Sequence, residues 1–399
     1  MKSSKDCIAL IPDEMLRKEV YKLHELASIP ARDVRVDPTK INFRAWDYIG
    51  DPLAENLINA LRKSGKSRKN IINAARELER EGDPAAIAFF KDVEFVPSYI
   101  NFEELRPYGN VIGRNFIGTV LGLHGALSYT YLNPDITKVM VRTGRLSKGG
   151  DFERRFWETA FGFILAGNID EMKPLGFGWE IWVRIRLMHT MVRLGIIESG
   201  NWDFTKSMPI SSHATGLGVL LFSRYRSNIM RAFGRVTQQE DEMSVRMWQW
   251  IARILGMPAE YMSDTIKHAD TVNTLAWEYS YEQNQDAVDL TEYVINGISE
   301  LKIVPGNRAF HNAVAKFVLD KKIAPVFFGH NPAEDLKIQP SFFWDKAILG
   351  LSLACRGTSI FTYLPAVDHY KINLSKKLIR KLVEKGLGDK HPDYIGKVL

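Results

Sequence analysis

Along almost the whole chain of 399 residues, apolar side chains recur at three- and four-residue intervals, and strand-like alternation is nearly absent. That period constrains the fold more than any other feature. It gathers the apolar residues of a segment on one helix face and would scatter them over both faces of a strand. DEMLRKEVYKLHEL at 13–26, DPLAENLINALRK at 51–63, KNIINAARELER at 69–80 and DPAAIAFFKDV at 83–93 all carry it. The Asp-Pro pairs at 51 and 83 set a capping carboxylate before a proline at the first helical position. TQQE at 237–240 is a capping box ahead of MSVRMWQWIARIL, and Gly256 with Pro258 ends that helix. The predicted fold class is all-α.

A chain of this length with 45% hydrophobic and 25% charged residues can bury a large core as one or two domains. No repeat or low-complexity segment divides it. The expected organisation is a set of N-terminal helices over 1–81 packing on a core at 82–275, with a C-terminal helical extension over 276–399 in the same domain. The Gly/Pro-rich pieces at 303–306 and 328–333 read as loops inside a domain. The tail KKLIRKLVEKGLGDKHPDYIGKVL reads as a basic amphipathic helix docked on the domain, followed by a frayed end.

Several function classes drop out. The net charge of +6 comes from scattered lysines and arginines, densest at 63–69 and 376–385, which read as solvated helix faces. No nucleic-acid motif accompanies them, so no nucleic-acid partner is expected. Two cysteines, Cys7 and Cys355, make no disulfide framework or zinc site and fit a reducing compartment. The opening MKSSKDCIALIPDEM has only the apolar run CIAL before Pro12, too short for a signal peptide or an anchor. The weakly polar stretch at 111–132 is interrupted by Arg114, Asn115 and His124, and it reads as one buried helix with no integral membrane segment. The expected location is cytoplasmic.

Within RIRLMHTMVR at 184–193, one histidine sits among apolar residues. If 178–194 is a helix, His189 shares a face with Trp182, Ile185, Arg186, Val192 and Arg193. Burial and the two neighbouring arginines would keep the imidazole neutral, the state a metal ligand needs, and Arg186 and Arg193 would be available to carboxylates. The alternative is a core histidine bonded to backbone, with the arginines paired to Asp or Glu.

A second segment, DFERRFWETAFGFILAG at 151–167, places Arg155, Glu158 and Thr159 on one side of a helix that is otherwise aromatic and apolar. Three polar groups there call for a polar partner. The alternative is a local Arg155–Glu158 ion pair on an exposed stripe. The remaining histidines, including His124, His213, His268, His311 and His330, form no HxxxH or HExxH pair. His213 is a secondary pocket candidate, with a local hydrogen bond at a helix start as its alternative.

Taken together, RxxxT followed by the histidine of RxRLMHxxVR resembles the rubber oxygenase (latex clearing protein) family and its relatives, which include fungal ER-bound oxygenases. GDPAAIAFFKDVEFVPSYINFEELRPYG at 82–109, TGRLS at 143–147, PISSHATGLGVLLFS at 209–223 and WQWIARILGMPAEYM at 248–262 extend it to about half the chain. The resemblance implies a globin-like helical core with additional helices, holding haem b and using O2 as co-substrate. His189 matches the proximal iron ligand, and Arg186 and Arg193 would meet the haem propionates. Arg155 and Thr159 match the polar pair over the distal face. Between them the rubber cleavers carry a lysine that can bind iron, and here the position is Glu158, a possible distal ligand or proton carrier.

The rubber cleavers also use an upstream acidic base. No carboxylate lies between Asp135 and Asp151, so none is assigned that role. The rubber cleavers are secreted, whereas the opening MKSSKDCIALIPDEM leads to the expectation of no export signal here. The expected substrate is a smaller apolar molecule, unsaturated or isoprenoid-like, oxidised or cleaved at a C=C bond. Two other readings remain: a haem-binding sensor or carrier without turnover, and a haem-free helical scaffold of the same family.

Overall fold

The computed structural model describes residues 3–33, 37–66, 70–143, 152–263, 265–301, 306–320, 322–323 and 329–388. Most of TGRLS, Asp151, most of the Gly/Pro-rich piece at 303–306, residue 328 of the other and the tail beyond 388 lie outside the described residues. The described residues hold nineteen α-helices and no strand. In chain order these are α1 Ser4–Ile8, α2 Glu14–Ala27, α3 Phe43–Trp46, α4 Pro52–Ser64, α5 Ile71–Arg80, α6 Pro84–Glu94 and α7 Arg106–Arg114. There follow α8 Phe116–Thr130, α9 Pro134–Arg142, α10 Phe152–Leu165, α11 Phe177–Ser199, α12 Ser212–Phe233 and α13 Gln238–Ile254. The last are α14 Ile266–Ser280, α15 Gln285–Glu300, α16 Arg308–Leu319, α17 Pro332–Asp335, α18 Phe342–Thr358 and α19 Pro365–Leu387.

Local chemistry explains where these helices begin. The Asp51 and Asp83 carboxylates accept backbone N–H bonds in the first turns of α4 and α6, each with proline at the first position. Thr237 and Glu240 close the capping box of α13. Gly256 ends that helix at φ +75°, the left-handed conformation that favours glycine. A side chain there would also collide with the Arg186 guanidinium, so the position serves both the turn and a close approach.

The stretch at 111–132 is two helices, contrary to the single helix expected. Asn115 leaves helical geometry at φ −109°, ψ 48°. Its Nδ2 donates to the carbonyls of Val111 and Arg235 at 3.1 and 2.9 Å, satisfying chain ends that a continuous helix would have used itself. Arg114, just before the break, turns to Glu240 and Asp368. The polar interruptions therefore mark a junction between α7 and α8.

One apolar cluster runs from Ile8 through α4, α6, α8, α11, α12 and α13 to Val383 of α19. α12 is its central element, packing on α8, α13, α14 and α18. The basic tail helix α19 docks on α7 and α10 through Ile372, Ile379 and Val383. No helix among the described residues is long and apolar enough to cross a membrane.

Candidate functional site

The helices that carry the predicted site, α10 and α11, are consecutive, joined by residues 166–176, and pack against each other. α11 runs unbroken for 23 residues and stops at Gly200, φ +66°. At the end nearest the joining loop, Phe161 meets Phe177 with ring centroids 6.1 Å apart, and Phe163 meets Trp182 at 6.4 Å. Phe163 also meets Phe222 edge to face at 4.7 Å and the tilted ring of Trp248 at 5.4 Å, so an aromatic box from four helices closes this end.

Arg155 and Thr159 precede Phe163 by two turns and one turn on the same stripe of α10. His189 follows Trp182 by two turns on α11. The contact between Phe163 and Trp182 joins the two helices at this end. All four side chains, Arg155, Glu158, Thr159 and His189, are half-buried rather than sealed. Glu158 is held by Arg154, whose Nε donates to Oε1 at 3.1 Å. A local ion pair on this helix thus joins Glu158 to Arg154.

Arg186 and Arg193 differ from the expectation of cations awaiting an external carboxylate. Arg186 is 2% exposed, and it donates from Nε and Nη2 to Asp51 at 2.6 and 2.9 Å and from Nη1 to Asp92 at 2.8 Å. Arg253 donates to the other oxygen of Asp92 at 3.1 Å. Arg193 donates to the carbonyls of Pro209 and Ile210, and its Nη1 lies 3.5 Å from Glu55. Both cations are consumed inside the protein, because a buried guanidinium without a counter-charge would be costly. They bind α11 to α4, α6 and the loop before α12.

Sequence spacing missed the acidic partners, which lie 94 to 138 positions away. A signal for one was present: Asp92 is a lone carboxylate on the apolar side of α6, and such a group needs a cation. Arg226 on α12 was also missed. It donates to the Tyr108 hydroxyl, its Nη2 is buried without a partner, and desolvation lowers its pKa. It lines a small apolar cavity of about 50 Å³ between α8, α10, α12 and α19. That cavity is also lined by Phe156, Trp157, Ala160 and Phe163 of α10 and by Phe222 of α12, so it borders the aromatic box.

The other histidines are structural partners. His213 is buried, with the Tyr261 hydroxyl 2.8 Å from Nδ1 and the Ser280 hydroxyl 2.5 Å from Nε2, so its bonds reach α14 instead of its own helix start. His124 and His311 stack with Nε2 and Nδ1 2.8 Å apart. Burial pushes His124 and His213 down to about 3. Among the described residues no group of three or more His, Cys, Asp or Glu could hold a metal ion. A metal at His189 would therefore have to bring its own ligand cage and take one donor from the chain.

No family model and no curated protein matches this chain. Among solved structures, that of Latex Clearing Protein LCP in the closed state is similar over 90% of this chain and 94% of that chain, at a TM-score of 0.61 and 20% sequence identity. The likeness is one of fold: this is an all-α architecture similar to that of LCP over nearly its whole length.

Proposed function

We propose that the protein is an oxygenase that uses haem b and O2 to oxidise or cleave a small apolar, unsaturated substrate. The observation that supports this best is the conjunction, within an LCP-like fold, of a half-buried histidine on α11 and the Arg155, Glu158 and Thr159 stripe on the adjoining helix. His189 would hold the iron from one side. Haem, when bound, supplies the activation of O2 and the redox chemistry. Arg155 and Thr159 are donors suited to stabilising negative charge that develops on oxygen. Glu158, oriented by Arg154, is positioned along the same stripe to hold or pass a proton. The aromatic box of Phe163, Trp182, Phe222 and Trp248 gives the site an apolar wall that excludes water. Two free cysteines fit a reducing compartment such as the cytoplasm.

One observation favours a second reading, a haem-free scaffold: Arg186 and Arg193 are already paired and have no charge to spare for propionates. O2 uptake by haem-reconstituted protein with a panel of isoprenoid and other unsaturated lipids separates the two. The oxygenase reading predicts uptake with at least one of them. Arg155→Leu should reduce kcat about 100- to 1,000-fold with the haem spectrum retained. Failure to take up haem at all would leave the scaffold.

A further inference from the structure

The C-terminal helices leave an unusual surface. More than half of the large apolar side chains exposed on the described residues fall between 342 and 378. α18 turns Ile348 and Ser352 inward and presents Phe342, Leu349 and Leu353 outward, at 80%, 50% and 57% exposure. α19 buries Ile372, Ser375 and Ile379 and presents Val367, Tyr370, Leu374 and Leu378. The short 3-10 turn between them, Ser359–Tyr363, exposes Ile360, Phe361 and Tyr363, with Leu364 following. Each helix therefore has two apolar stripes, and only one of them is used by the body of the protein. Surface residues scattered singly need no explanation, but a run of this density marks a contact.

The charges around this surface say what covers it. Residues 342–387 contain eight lysines and arginines and three acidic residues, nearly the whole net charge of the chain. Two of the acids face the body: Asp345 accepts from Lys316 at 2.5 Å, and Asp368 accepts from Arg114 at 2.5 Å. The outer faces thus combine apolar and aromatic groups with Lys346, Arg356, Lys377 and Lys381, all exposed. A second copy of the same face would oppose cation to cation. An anionic bilayer matches both features, with aromatic and aliphatic groups in the headgroup boundary and long basic side chains reaching phosphates.

We propose that α18, the Ser359–Tyr363 turn and α19 form a membrane-surface docking face for anionic lipid, lying in the interface without spanning it. The inner side of α19 supplies Ile379, Leu382 and Val383 to the apolar cavity beside α10, so the same helix touches lipid outside and the core inside.

The test is co-sedimentation of the full chain with vesicles of phosphatidylcholine alone and of phosphatidylcholine with phosphatidylglycerol in equal parts. The expected result is binding to the mixed vesicles that weakens with added salt and is poor with phosphatidylcholine alone. Phe361→Asp combined with Leu364→Asp should reduce the partition coefficient about tenfold or more, since both side chains are exposed and leave the fold intact. Met15→Asp, at an even more exposed apolar residue on α2, should bind like the wild type. Circular dichroism checks that each variant is folded. Wild type remaining in the supernatant with both vesicles, or the double variant binding as wild type does, overturns the proposal. So does a dimer in sedimentation equilibrium that the double substitution dissolves. The assay contains neither haem nor substrate, so its failure leaves the oxygenase reading untouched, and the converse holds.

Discussion

At the scale of single residues, spacing tells which side chains share a stripe and leaves unsaid what they face. Arg155, Glu158 and Thr159 were legible as a group because the i, i+3, i+4 rule is local. The partners of Arg186 were illegible, because Asp51 and Asp92 come from helices whose placement depends on the whole fold. Under the proposed function, Glu158 stands where the resemblance to the rubber oxygenases implies an iron-binding lysine. In haem-loaded protein, Glu158→Lys should convert the absorption spectrum to that of a nitrogen-ligated low-spin iron. An unchanged spectrum would remove that side chain from the iron's vicinity.

At the scale of helices, the capping signals at Asp51, Asp83 and Thr237 predicted element starts correctly, since a cap is chemistry within four residues. The break at Asn115 escaped detection because its cause includes the carbonyl of Arg235, 120 positions away. The same long-range logic makes the Asp51–Arg186–Asp92–Arg253 cluster the fastener of α4, α6, α11 and α13. Asp92→Ala leaves two buried guanidinium groups under-compensated, and in urea unfolding it should cost about 3–5 kcal/mol. Removing Glu14 from its exposed pair with Lys18 on α2 should cost less than about 1 kcal/mol. Equal losses from the two substitutions would contradict the fastener role.

At the scale of the molecule, buried titratable groups set opposing pH dependences. His24 is lowered to about 4 by burial and Lys5, and His124 and His213 to about 3 by burial, with His311 adding to the shift at His124. The unfolded chain binds protons at these sites below about 6.5 while the folded one does not, so they reduce stability as pH falls from about 6.5 to 3. Asp47 runs the other way. Burial and the nearby Asp135 push it up to about 8, against the hydrogen bonds donated by Tyr279 and Ser211. The folded state keeps its proton between about 4 and 8, so rising pH through that window reduces stability. Asp47→Asn should flatten the decline of unfolding free energy toward pH 8 and leave the loss below pH 6 in place. A variant with the wild-type slope between pH 6 and 8 would show that Asp47 is ionised in the fold.

Under the proposed function, His189 is the side chain through which this fold would hold an iron porphyrin. Titration of the purified protein and of His189→Ala with haem, followed by visible absorption, tests it directly. The prediction is a stoichiometric, histidine-ligated Soret spectrum in the wild type that is lost or strongly shifted in the variant. Haem bound with an identical spectrum in both proteins, or by neither, would contradict it.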